Sequence, residues 1–95
     1  MAKSNVLFWT YVLRSKKDGN TYVGYTKNIK KRLEEHKRGY NFSTKMRLPF
    51  IIIYLEACTN QEDAIQRERY LKSTAGRRFL RNRLREYWSS SFDLA

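Results

Sequence analysis

Five side chains in this 95-residue chain are of types that handle phosphates, protons or metal ions. Arg32 and His36 stand four apart, one helical turn, so a forked cation and an imidazole should emerge together where sheet meets solvent. A guanidinium can grip two phosphate oxygens at once, and an imidazole exchanges protons near neutral pH. Glu68 falls on a helical stripe that Ala64 and Leu71 mark as inward, where a carboxylate is costly unless a cation sits beside it. That cation is either an arginine, Arg32 or Arg69, or a divalent metal ion completed by phosphate oxygens and water. Tyr11 and Tyr22 add two phenols. Taken singly, each residue has a plainer use: a core aromatic, a solvent-facing histidine, one charge among many, a buried ion pair.

The elements needed to position them can be read from local patterns. Val6 to Arg14 is rich in β-branched and aromatic residues, and its weak alternation puts Trp9, Tyr11 and Leu13 on one face of a strand. Asp18-Gly19 marks a turn, and Thr21 to Tyr25 returns as a second strand. Any even loop places Tyr11, Leu13, Tyr22 and Gly24 on a common face, with Gly24 a bare patch between the phenols. Asn28 is a good N-cap and Gly39 a good residue just past a helix end, so a basic helix should span Ile29 to Arg38 with Ile29 and Leu33 buried. Gly39 to Leu48 reads as a loop. Phe50 to Glu56 is a continuous apolar run, which predicts a third strand buried on both faces. Asn60 to Asp63 starts a second helix, Ser73-Thr74-Ala75-Gly76 interrupts it, and a last helix from Arg77 to Trp88 turns Phe79, Leu80, Leu84, Tyr87 and Trp88 inward. The expected architecture is α+β, a small three-stranded sheet flanked by helices in the order ββαβαα. One domain should cover residues 1–88, with 89–95 a frayed tail.

Composition narrows the class. Twenty Lys and Arg against nine Asp and Glu leave a net charge of +11, which makes a polyanion the leading partner and a membrane surface a distant second. The single cysteine, Cys58, cannot close an internal disulfide, which suits the cytoplasm, and one cysteine with one histidine excludes a Cys/His zinc cluster. The N-terminal apolar run reads as a strand rather than a signal peptide.

The residues Trp9-Thr10-Tyr11, Tyr22-Val23-Gly24, Arg32, His36 and Glu68 together resemble the GIY-YIG nuclease superfamily, and closest are its small single-domain prokaryotic members. The resemblance runs from about Phe8 to Leu84, and its most specific stretch is YVGYTKNIKKRLEEH. It implies a divalent-metal-dependent endonuclease hydrolysing phosphodiester bonds in DNA, repair- or structure-related, with little sequence specificity of its own. By the same resemblance Tyr11 and Tyr22 close and open the two half-motifs, and one of them is the general base. Gly24 is the glycine that lets substrate or helix approach. Arg32 contacts the scissile phosphate, His36 assists, and Glu68 holds a single Mg²⁺ or Mn²⁺ ion. Lys27 and Arg32 are placed to lower a tyrosine pKa. Trp9 and Thr10 depart from the name motif, which predicts altered packing, and Asn82 is no equivalent of the asparagine that many members carry near the end of the module. Nucleic acid, DNA before RNA, would be met by Lys27, Lys30, Lys31, Lys37, Arg38, Lys45, Arg77 and Arg78. Targeting would fall to a protein partner or a second copy. The competing readings are a binding module that keeps the fold without useful catalysis, and a basic RNA-coating protein, which leaves an inward Glu68 unexplained.

Overall fold

A computed structural model describes residues 6–41 and 44–90. Strand β1, Phe8–Ser15, runs antiparallel to β2, Thr21–Thr26, on one side and to β3, Phe50–Cys58, on the other. The sheet order is therefore β2-β1-β3. Helix α1, Ile29–Lys37, follows β2, and a short 3-10 turn, Lys45–Arg47, precedes β3. Helices α2, Gln61–Lys72, α3, Thr74–Arg83, and α4, Arg85–Ser89, complete the chain. This is the α+β architecture expected, with a 3-10 turn inside the expected loop and the last helix broken in two at Leu84. The end of the expected frayed tail, residues 91–95, lies outside the described residues.

Local chemistry accounts for the boundaries near the site. Gly19 takes φ 76° in the turn after β1, and the hairpin register pairs Tyr11 with Gly24 and Leu13 with Tyr22, so these four do share a face. The Asn28 side chain accepts a hydrogen bond from the Lys31 N–H at 3.1 Å and starts α1, while Gly39, at φ 78°, follows its Arg38 C-cap.

Two expectations fail. The strand buried on both faces is β1, where Thr10 to Leu13 are each no more than 2% exposed. Strand β3 has that apolar run but lies at the sheet edge, and Ile52 and Leu55 stand 42% and 41% exposed. The break between α2 and α3 is one residue, Ser73, rather than four. Its side chain caps α3 by accepting from the Gly76 N–H at 3.1 Å, and Gly76 lies inside the helix. A Cβ on Gly76 would sit 1.9 Å from the Tyr70 carbonyl oxygen, so glycine is there to let α3 cross close to the end of α2.

The two faces of the sheet differ in content. Val12 and Val23 point to one face and pack with Leu71 of α2 and Leu80 of α3, while Ile53, Tyr54, Phe79 and Leu84 close around them. Thr10, also on that face, donates its hydroxyl to the Ala64 carbonyl at 3.2 Å and fixes the start of α2. The other face carries Tyr11, Leu13 and Tyr22, and His36 of α1 lies against it.

Candidate active site

The Tyr11 side chain crosses to β2 and lies over Gly24. A Cβ at position 24 would fall 2.3 Å from both the Cζ and the hydroxyl oxygen of Tyr11. The approach that Gly24 permits is thus made by the phenol itself, which corrects the expectation that substrate or a helix comes close there. Gly24 is needed for its missing side chain, not for an unusual backbone angle.

The phenol so placed is fully buried, and its oxygen lies 2.9 Å from Nε2 of His36. Nδ1 of the same ring lies 2.7 Å from Oγ1 of Thr44, which is fully buried. Tyr11, His36 and Thr44 form a continuous chain of hydrogen bonds beneath the sheet surface. The Tyr22 ring stands 5.3 Å from His36 and 6.5 Å from Tyr11, and Phe50 stands 6.4 Å from His36 on another side. His36 therefore does not emerge beside Arg32 at the solvent boundary; it is only 2% exposed. Its enclosure is tertiary, because Tyr11, Thr44 and Phe50 come from three separate segments. Neither Thr44 nor Phe50 stands out in the sequence as part of a site. Thr44 sits in a stretch with no periodicity, and nothing local marks its hydroxyl as inward.

Burial sets the protonation states. It pushes Tyr11 up to about 12, because the charged phenolate is poorly solvated there. Hydrogen bonding and charge from Arg32 pull the other way and lose, while Tyr22 and Glu68 add to the rise. The neighbouring cations therefore do not bring the Tyr11 phenol below its ordinary value, contrary to the expectation for that one of the two tyrosines. His36 is held below its ordinary value, first by burial and then by the Arg32 charge, with Glu35 opposing. At neutral pH the ring is uncharged, with one N–H and one lone pair, so it donates in one of its two short contacts and accepts in the other.

Arg32 is about a third exposed, and its guanidinium pairs with Glu35 at 3.2 Å. Beside it, Lys27, Asn28, Lys31 and Tyr25 help line a cleft of about 360 Å³ at the start of α1. The Tyr25 hydroxyl is buried there without a hydrogen-bond partner. Lys30, Lys37, Arg38, Lys45, Arg77 and Arg78 are all exposed, and Arg38 is paired with Glu34.

Glu68 is on α2, which packs against the opposite face of the sheet from the two phenols. Its negative charge nevertheless acts on the Tyr11 phenol. The carboxylate is 22% exposed and pairs with Lys72, one turn on, at 2.9 Å; neither Arg32 nor Arg69 is its partner. No cluster of three or more His, Cys, Asp or Glu side chains suited to a metal ion occurs among the described residues.

A family model described as the GIY-YIG catalytic domain matches residues 7–84. The chain belongs to the GIY-YIG family. That places this GIY-YIG chain within a nuclease family. A UPF0213 protein of Bacillus licheniformis is 39% identical to it over 80 residues, 80% of this chain and 81% of the relative. One of Pediococcus pentosaceus is 42% identical over 66 residues, 68% of each chain. The solution NMR structure of a UPF0213 protein from Bacillus halodurans shares the fold, with a TM-score of 0.56 and 25% identity over 92% of this chain and 97% of that one. Those names state no activity. Among the described residues, no helix is long and apolar enough to cross a membrane.

Proposed function

We propose that this chain is a divalent-metal-dependent endonuclease that hydrolyses phosphodiester bonds in DNA with little sequence preference, in a structure- or repair-related role in the cytoplasm. The observation that supports it most is the Tyr11 phenol, laid over Gly24, hydrogen-bonded to His36 and within electrostatic reach of both Arg32 and Glu68. Phosphodiester hydrolysis needs a group to take the proton of water and a fixed cation where negative charge grows at phosphorus.

With Tyr11 pushed up to about 12, a standing phenolate is no base at neutral pH. The hydrogen-bond chain offers another route. In the tautomer with Nδ1–H donating to Thr44, the Tyr11 hydroxyl donates to Nε2 of His36, and the phenol oxygen keeps a lone pair that water would reach once substrate binding opens the buried site. As water loses its proton to that oxygen, the phenol passes its own to His36. Tyr11 then stays neutral, and the charge ends on the imidazole. Arg32, already near the phenol, would grip the scissile phosphate, and Tyr22 would help to align the attacking water. The lysines around α1 would hold the strand.

Glu68 fits a hard divalent ion as a lone oxygen donor that is partly open to solvent, so most of the ion's other ligands would be water and phosphate. Lys72 would give up its pairing on loading. When bound, the ion supplies Lewis-acid polarisation of the phosphate.

The Glu68–Lys72 pair is also the observation that favours a second reading, a nucleic-acid binder of this fold with weak catalysis. A panel of duplex, single-stranded and branched DNAs, with Mg²⁺, Mn²⁺ and chelator arms, separates the two. Metal-stimulated cleavage that disappears in Glu68→Ala while binding persists supports the nuclease. Equal cutting by both proteins removes Glu68 from the reaction, and no cutting by the unsubstituted chain leaves the binder.

A further inference from the structure

Arg77, Arg78, Arg81 and Arg83 on α3 and Arg85 on α4 are all exposed. Asp18, Glu34, Glu35, Glu56 and Glu68 all hold ion pairs, and none of their partners lies on α3 or α4. Helix α3 has no acidic residue, and Glu86 on α4 makes no ion pair among the described residues. Arg77 and Arg81 stand four residues apart on α3, where like charges repel, and Arg85 opens α4 just past the break. Arg77 and Arg78 stand toward the positive end of the helix dipole. Folding gains nothing from this arrangement. An anion would.

The structure also provides a groove for one. Between α3 and the β1–β2 turn lies a cavity of about 510 Å³, lined by Arg77, Arg81, Leu80, Trp88 and the Gly19–Thr21 segment. Its aromatic wall is held in place by Arg14, whose guanidinium lies 4.7 Å from the Trp88 ring centre. Arg14 donates to the Gly19 carbonyl at 3.0 Å and to the Tyr87 hydroxyl at 3.2 Å, tying α4 to the turn. Leu80 sits in the apolar core with Val12 and Val23, so the groove opens on the opposite side of the sheet from Tyr11 and His36.

We propose that this groove is a second binding site, for single-stranded nucleic acid, on the other side of the sheet from Tyr11 and His36. Arg77 and Arg81 hold consecutive phosphates, and a base stacks against Trp88. A cationic groove beside an aromatic ring is the arrangement that binds single strands without reading sequence. A strand held here is a different stretch from the one at Arg32, so one chain holds two segments at once. The inference rests on the reading that nucleic acid is the partner, but not on cleavage.

The test is a titration with oligothymidylate of about eight nucleotides, in chelator, using a Trp9→Phe background so that Trp88 is the sole tryptophan reporter. The oligonucleotide should quench Trp88. Arg77→Gln/Arg81→Gln should weaken binding about tenfold and flatten the salt dependence by about 1.4, roughly 0.7 for each phosphate no longer neutralised. Filter binding of the chain with native Trp9 gives the same contrast should Trp9→Phe perturb β1. Absence of quenching, or an affinity and salt slope unchanged by the double substitution, overturns the proposal. Because no cleavage is read, a chain that binds in this way yet never cuts fails the nuclease reading and keeps this site.

Discussion

Adjacent residues of β1 face two different environments. Val12 and, across the hairpin, Val23 meet Leu71 and Leu80, and that side of the sheet is sealed by aliphatic and aromatic packing. Tyr11, one residue earlier, meets His36, Thr44 and Tyr22, and that side is a buried run of polar groups hydrogen-bonded in series. The apolar side gains stability roughly in proportion to area removed from water and tolerates replacements that keep its volume. The polar side loses stability wherever a donor or acceptor is left without a partner, and that requirement also positions the phenol. Apolar packing thus occupies one face of the strand and a buried hydrogen-bonded chain the other, with Gly24 as the point where the polar face has no slack.

Gly24→Ala should be the most damaging change on the polar side. Its Cβ would enter the Tyr11 head group, so the phenol moves, the His36 hydrogen bond breaks, and any cleavage falls by about 10²-fold or more, with about 1–3 kcal/mol of stability lost. Retained activity and melting temperature would show that the phenol's position is not needed. Arg32→Ala should lower cleavage by about 10²–10³-fold. It should lower stability little, since it removes a part-exposed pair with Glu35 and one interaction with a phenol that keeps its His36 partner. A large fall in melting temperature would make Arg32 a structural residue instead. On the apolar side, Leu71→Ala should cost about 2–5 kcal/mol by denaturant unfolding while leaving cleavage per folded molecule intact. A loss of turnover at full folding would mean the two faces are coupled. Thr44→Val keeps the shape but leaves Nδ1 of His36 without a partner, and should cost about 1–3 kcal/mol and roughly tenfold in rate.

The smallest effect expected is in the pH dependence of stability. His36 has a folded pKa below 6.5, so both folded and unfolded rings are neutral above that value and the stability is fully present. As pH falls below 6.5 the unfolded ring takes up a proton first, and stability is lost. Melting temperature should therefore drop more between pH 7 and pH 5 in the unsubstituted chain than in His36→Gln. Parallel curves would mean that the ring is not held neutral.

How far the sequence could be read depended on the distance over which each signal acts. The hairpin faces follow from alternation and one Asp-Gly turn, and α1 follows from Asn28 and Gly39, all within a few residues of the structure they specify. Glu68 stands out as a carboxylate on an apolar stripe, yet its partner is Lys72 on the same helix, and its charge adds to the rise of the Tyr11 phenol. The run Phe50 to Leu55 looked like the innermost strand, but an apolar run cannot report which strand takes the middle of a sheet. Gly76 read as a helix breaker, although its missing side chain makes room for a carbonyl from the preceding helix.

By itself the sequence determined the three strands and the first helix, the common face of Tyr11, Tyr22 and Gly24, the spacing of Arg32 and His36, and the excess of positive charge. Each is set by backbone period or by counting. Only the tertiary structure decided that β1 is central, that His36 is enclosed and neutral, that Thr44 completes its hydrogen bonds, and that burial pushes Tyr11 up to about 12. The physical reason is that solvation and hydrogen-bond pairing depend on which distant segments meet, and residue types along a chain do not carry that information.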